Sequence, residues 1–133
     1  MKIAVIYSQY YQEVWNGQKK QIEEFAAEKS MDLDYFEIPG SMEAPYMSAK
    51  VIKEGSFDGI VVLGCVVEGE TYHNHIIQNC AHDHLIRLSV DNLMPMGIGI
   101  LTVKSYDQAL YRSSEKKPYA RHAIKAVYDL LTA

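Results

Sequence analysis

The residue types able to do chemistry in this sequence cluster around short polar segments between apolar runs. His73 supplies an imidazole, the side chain best suited to move protons near neutral pH, and it follows Gly69-Glu70-Thr71 directly. That triplet leads into a helical pattern, and a helix N-terminus offers unpaired N–H groups and the positive end of the dipole to an anion. Arg112 adds a guanidinium that can grip phosphate with two hydrogen bonds. Tyr10 or Tyr11 offers an aromatic platform, and Glu43 offers a carboxylate at the start of another helix. Each group also has a plainer reading. The triplet can be a simple turn and cap, Arg112 a solvated charge, and Tyr10 a ring packed over the end of a sheet.

Histidine spacing suggests metal binding at first sight, through the pairs His73/His75 and His82/His84. Residues two apart on a helix point in different directions, so neither pair chelates alone. His75 and His82 could share a face, but no cysteine or carboxylate cluster completes a coordination shell. No metal is expected. Cys65 and Cys80 lack ligand spacing and sit in apolar sequence, which reads as buried free thiols in a reducing cytoplasm.

The elements that must position these groups follow from pattern. Apolar runs at Lys2–Tyr7, 33–38, 59–63 and 96–102 are rich in Ile, Val, Leu and Tyr with little polar alternation, as in strands buried on both faces. Between them lie helical spacings. Trp15, Ile22, Phe25 and Ala26 mark a helix over Gln12–Lys29, and Ala44, Met47 and Val51 mark one over 42–53. Ile76, Ile77, Cys80, Ala81, Leu85 and Leu88 mark a third over about 72–89. Ser105 and Gln108 have the spacing of a capping box for a short fourth helix. Pro118 opens a fifth, with Ala120, Ala123, Ile124, Val127 and Leu131 as its apolar stripe. Alternating strand and helix predicts an α/β, three-layer αβα sandwich: a parallel four-stranded sheet with helices on both faces. Ligands bind such sheets beyond the carboxyl ends of the strands, which is where every polar segment named above falls.

Composition sets outer limits. A chain of 133 residues predicts a single domain over 1–133, against roughly 100–200 residues per domain. Hydrophobic residues make up 48% and charged residues 23%, enough apolar material for one sizeable core. The net charge is −4 with no basic block, which argues against a nucleic-acid partner. The longest apolar stretches, 59–67 and 93–103, fall short of the roughly 18 residues of a membrane helix. The amino-terminal residues turn polar too early for a signal peptide, so a cytoplasmic location is expected.

Three segments carry a family resemblance. Pro39-Gly40-Ser41-Met42-Glu43-Ala44-Pro45 resembles the P-G-[AS]-x-E-x-P segment of 6,7-dimethyl-8-ribityllumazine synthases. The stretch Leu63-Gly64-Cys65-Val66-Val67-Glu68-Gly69-Glu70-Thr71-Tyr72-His73 is similar to their L-G-x-V-[IV]-x-G-x-T-x-H. The run from Pro95 to Thr102, followed by Gln108-Ala109-Leu110-Tyr111-Arg112, resembles their P-[IV]-x-x-G-[IV]-L-T…Q-A-x-x-R. The segments occur in order, at near-constant spacing, across essentially the whole chain.

The resemblance implies a flavodoxin-like fold and a transferase of riboflavin biosynthesis. The family joins 5-amino-6-ribitylamino-2,4(1H,3H)-pyrimidinedione to 3,4-dihydroxy-2-butanone 4-phosphate, releasing phosphate and water, without a metal or organic cofactor. Position by position, it implies that Tyr10 stacks on the pyrimidine and that Ser41 and Glu43 hold the ribityl chain. Cys65, Val66 and Val67 would present backbone groups to the heterocycle. Glu70, Thr71 and Arg112 would bind phosphate, Lys116 would stand in for a loop lysine, and His73 would be the acid/base. Ile98 takes the place of a side chain contributed to a pocket between subunits. The resemblance further implies a homopentamer, which family members stack into decamers or close into sixty-subunit shells.

The sequence departs from the pattern at three places. Glu68 stands where the family usually has Arg or Lys, and His75 where it commonly has an acid. Ser113-Ser114-Glu115-Lys116-Lys117-Pro118-Tyr119 replaces a longer glycine-rich stretch. The competing readings are a non-catalytic flavin- or lumazine-binding homologue and an archaeal-type riboflavin synthase. The second lacks the G-x-T-x-H segment, so Thr71 and His73 oppose it.

Overall fold

The apolar runs form four strands: β1 (Lys2–Tyr7), β2 (Asp32–Glu37), β3 (Gly59–Val67) and β4 (Met96–Val103). The computed structural model describes residues 1–68 and 73–133, with only the backbone at 73–75, 77 and 78. All strand pairs are parallel, in the order β2-β1-β3-β4. Ile6 lies opposite Phe36 on one side and Val62 on the other, and Val62 lies opposite Ile98. The expected α/β sandwich is therefore present. β3 continues beyond residue 63, because Val66 and Val67 pair with Thr102 and Val103.

β2 departs from expectation. It begins one residue earlier than the apolar run, and Asp32, Asp34, Tyr35 and Glu37 are exposed. Its place at the edge of the sheet removes the neighbour that would bury it, so polar residues are tolerated there.

The helices are α1 (Gln12–Lys29), α2 (Ala44–Glu54), α3 (His73–Asn92), α4 (Tyr106–Arg112) and α5 (Tyr119–Leu131). A single 3-10 turn, Ser41–Glu43, precedes α2, so the predicted helix over 42–53 divides there. Pro45 sits in the first turn of α2, where its missing N–H costs nothing. Gly55 ends that helix in the left-handed region (φ 84°), its N–H donating to Val51 O at 3.4 Å. Ser105 Oγ accepts from Gln108 N–H at 3.2 Å, as the capping spacing predicted. The Gln108 side chain accepts from Lys104 N–H at 2.9 Å, one residue earlier than in the standard box.

Strand alternation sorts the core into two faces. Ile3, Val5, Val61 and Leu63 pack on Trp15, Ile22 and Phe25 of α1 and on Ala120, Ile124 and Val127 of α5. Ala4, Ile6, Ile60, Val62 and Ile100 pack on Ala44 and Val51 of α2 and Leu85 of α3. Val14 of α1, Leu101, Val103 and Ala109 of α4 form a smaller group at the carboxyl edge. The stripe on α3 is only partly covered. Ala81 and Leu85 are buried, whereas Ile76 is 54% exposed and Cys80 is exposed. Cys80 is thus not the buried thiol expected from its apolar context, because Ala81 and Leu85 take the inward positions. Among the described residues no helix is long and apolar enough to cross a membrane.

Candidate active site

The turn after β1 carries Ser8, Tyr10 and Tyr11 to the carboxyl edge of the sheet, where they meet Cys65 of β3. Together with Val14, Trp15 and Gln18 of α1 they line one narrow cleft with essentially no free volume in the single chain. Tyr10 is 78% exposed, its backbone N–H held by Ser8 Oγ at 3.4 Å. Its ring meets Tyr11 edge to face, with centroids 4.9 Å apart at 81°. Tyr11 in turn contacts Tyr106 of α4. Below them Trp15 stacks on Tyr7 at 4.1 Å. Buried Trp15 and the half-buried rings of Tyr7 and Tyr11 thus brace the first turn of α1, and Tyr10 is left exposed, as a stacking platform requires.

Burial pushes the Cys65 thiol up to about 11. Burial also raises the Tyr11 phenol, with Cys65, Tyr10 and Tyr106 adding smaller effects. Both groups stay protonated at neutral pH, so neither is a nucleophile or proton shuttle there. The carbamidomethylation rate of Cys65, followed by peptide mass spectrometry, is expected to keep rising with pH until about 11. A plateau at the ordinary thiol value, near 8.5, would contradict the burial.

Ser41 is buried beneath the end of β3. A Cβ on Gly64 would lie 3.0 Å from Ser41 Oγ, so the glycine makes room for that hydroxyl. On the opposite face of the strand, Gln18 Nε2 donates to Gly64 O at 3.0 Å and to Gly99 O at 3.4 Å. Glu43 is exposed and precedes α2, and its N–H closes the 3-10 turn onto Gly40 O at 3.2 Å. Val66 and Val67 are half-buried, and Glu68 N–H donates to Val103 O at 2.6 Å. Ser41, Cys65, Val66 and Val67 are thus gathered at one strand end.

Arg112 and Lys116 are held differently. Arg112 ends α4 with its guanidinium 6.0 Å from the Tyr119 ring centre. Lys116 is exposed in the following loop, which Ser114 ties together by accepting from Lys116 N–H and from Lys117 N–H. Gln21 of α1 donates to both Ser113 O (2.9 Å) and Ser114 O (3.0 Å) and accepts from Arg121 N–H at 3.2 Å. Gly17 allows this approach, since a Cβ there would sit 2.3 Å from Ser113 O. Ile98 packs on the α2/α3 face of β4 and lines a groove beside Tyr119, His122 and Ala126. Neither Ile98, Arg112 nor Lys116 lines the cleft that holds Tyr10.

Glu70 and Thr71 lie outside the described residues, as do Gly69 and Tyr72. His73 opens α3, at the carboxyl edge, with its side chain outside the description. Of the other histidines considered for metal binding, His84 places Nδ1 3.3 Å from Cys80 O. Among the described residues no group of potential metal ligands gathers. Gln18 and Gln21 were missed by the motif reading. Their signal was present in the spacing: both fall on the buried side of α1, among Trp15, Ile22 and Phe25, where a polar side chain must find partners.

The family model of 6,7-dimethyl-8-ribityllumazine synthase matches residues 1–133. A protein of that name from Azoarcus sp. (strain BH72) is 29% identical over 134 residues, covering 98% of this chain and 86% of its own. One from Cupriavidus pinatubonensis (strain JMP 134 / LMG 1197) is 40% identical over 89 residues, 66% of this chain and 53% of its own. A third, from Methylibium petroleiphilum, is 33% identical over 96 residues, 71% of this chain and 60% of its own.

Proposed function

Because the chain belongs to the 6,7-dimethyl-8-ribityllumazine synthase family, we propose that it is a transferase that condenses 5-amino-6-ribitylamino-2,4(1H,3H)-pyrimidinedione with 3,4-dihydroxy-2-butanone 4-phosphate. The match over the full length of residues 1–133 carries this reading. The carboxyl edge of the sheet supports it, since the exposed Tyr10 ring and the end of β3 lie where parallel sheets bind ligands.

In the proposed site the pyrimidine stacks on Tyr10, with the backbone of Cys65, Val66 and Val67 along its edge. Ser41 and Glu43 hold the ribityl hydroxyls. Phosphate sits at Glu70 and Thr71, with Arg112 and Lys116 supplying positive charge. The substrate amine attacks the ketone to give a carbinolamine, which loses water to a Schiff base. Phosphate elimination gives an enol that tautomerises to a ketone, and attack of the ribitylamino nitrogen on that ketone closes the ring with loss of a second water. Protons move at each stage, and His73 carries them. No cofactor takes part, as the butanone phosphate supplies all the carbon added to the pyrimidine and no net oxidation is needed.

The separation of Ile98, Arg112 and Lys116 from the Tyr10 cleft supports a site completed by a second copy of the chain. The half-covered stripe on α3 supports assembly as well. We therefore place the 1–133 domain in a cytoplasmic homopentamer, with decamers or sixty-subunit shells as its higher forms. Its partners are small molecules, with no nucleic acid and no membrane.

The test is direct. Purified protein is mixed with both substrates, and lumazine absorbance and fluorescence are followed against the uncatalysed rate. Acceleration is expected. Tight lumazine binding without acceleration would instead favour a non-catalytic binder, the reading to which Glu68, His75 and the altered loop after Arg112 lend weight. Conversion of lumazine to riboflavin would point to riboflavin synthase activity.

A further inference from the structure

We infer that Gln18 and Gln21, the two buried glutamines of α1, are positioning residues that each fix one half of the active site. The inference rests on the functional reading above. Both amides lie on the inward side of one helix, 2% and 5% exposed. Each donates to a pair of backbone carbonyls rather than to a single partner.

Gln18 acts on the heterocycle half. Its Nε2 bridges Gly64 O and Gly99 O, joining β3 to β4 immediately before Cys65, Val66 and Val67. It also lines the cleft with Tyr10 and Tyr11. Gly64 is thus bonded to Gln18 on one face, while on the other it has no Cβ to crowd the Ser41 hydroxyl. The strand end that meets the pyrimidine cannot shift without breaking a buried hydrogen bond.

Gln21 acts on the phosphate half. It draws Ser113 O and Ser114 O onto α1 and ties the same point to the start of α5 through Arg121 N–H. Ser113 directly follows Arg112, and the loop that carries Lys116 begins at Ser114. Gly17, one turn earlier on α1, lets the loop backbone come this close. With its glycine-rich counterpart replaced by serines, lysines and a proline, the loop depends on this external tether for its placement.

Gln18→Met and Gln21→Met remove the amide at nearly constant side-chain length, and Gln18→Leu and Gln21→Leu serve as second variants if either fails to fold. Equilibrium binding of inorganic phosphate and of the lumazine product reads each half without turnover, and KM for each substrate reads it with turnover. Losing one buried donor corresponds to roughly a tenfold loss in binding. Gln21→Met is expected to weaken phosphate binding, and to raise KM for the butanone phosphate, about tenfold, leaving lumazine affinity within about twofold. Gln18→Met is expected to do the converse. Equal effects on both ligands, or none on either, with wild-type protein active, would overturn the positioning roles alone. Wild-type protein that neither turns over nor binds lumazine would overturn the functional reading and the inference together.

Discussion

Replacing His73 with alanine is expected to lower kcat by about 10²–10⁴-fold, the range that a positioned acid/base contributes. Turnover should nevertheless remain above the uncatalysed rate. The reaction needs several proton transfers, but none requires a covalent bond to the protein. Its largest demand is to bring a weakly nucleophilic amine and a ketone together in one orientation. Effective molarities of about 10⁵–10⁸ M are available from good orientation alone, and that share survives loss of the imidazole. KM for both substrates should stay close to wild type, because binding is assigned to Tyr10, the end of β3 and the phosphate groups. Lumazine formation under saturating substrates measures the outcome. Complete loss of activity with both substrates bound would contradict this division between proton transfer and proximity.

The Gly97→Ala variant is expected to lose about 3 kcal/mol of stability, at the upper end of the range for overpacking a core. For a chain of this size that corresponds to roughly 10 °C in Tm. A Cβ at Gly97 would lie 2.0 Å from Ala123 O, 2.7 Å from its carbonyl carbon and 3.2 Å from its Cα. These are backbone atoms of α5, so no rotamer change relieves the overlap. The helix itself must move off β4, taking Ile124 and Val127 away from Val61 and Leu63. Gly40→Ala is the matched control. Its Cβ would meet nothing within 4 Å, and its φ of −164° is ordinary extended backbone, so the change should stay within about 0.5 kcal/mol. Calorimetric melting of both variants tests the pair. Equal stabilities would mean that α5 sits farther from β4 than the structure places it.

Much of the fold was legible because it rests on local patterns. β1 and α1 have the limits that their apolar spacing predicts, and Ser105 caps α4 as its spacing to Gln108 suggested. Where expectation and structure part, a long-range neighbour decides. β2 is polar on its surface because it is an edge strand, and strand order is not written in any one segment. β3 runs on to Val67 because β4 lies beside it to Val103. Cys80 is exposed because one helix turn offers fewer inward positions than its apolar residues could fill.

The candidate site divides in the same way. Tyr10, Ser41, Glu43, Cys65, His73 and Arg112 were reached through residue chemistry and motif resemblance, since short segments with fixed spacing carry that information. Gln18, Gln21 and Gly17 were not, although all three lie on a helix that was located correctly. A glutamine in an apolar stripe announces only that it needs partners. Whether those partners are the carbonyls of Gly64 and Gly99 or of Ser113 and Ser114 depends on chain segments tens of residues away.

By itself, then, the sequence determined the alternation of strands and helices, the parallel sheet and the family motifs, all of which are set by periodicity and spacing within short windows. Only the tertiary structure decided that β2 and β4 are the edges, that α5 lies against Gly97, and that α1 bonds both the end of β3 and the turn after α4. Those features are contacts between distant segments, and close packing selects them once the elements have come together.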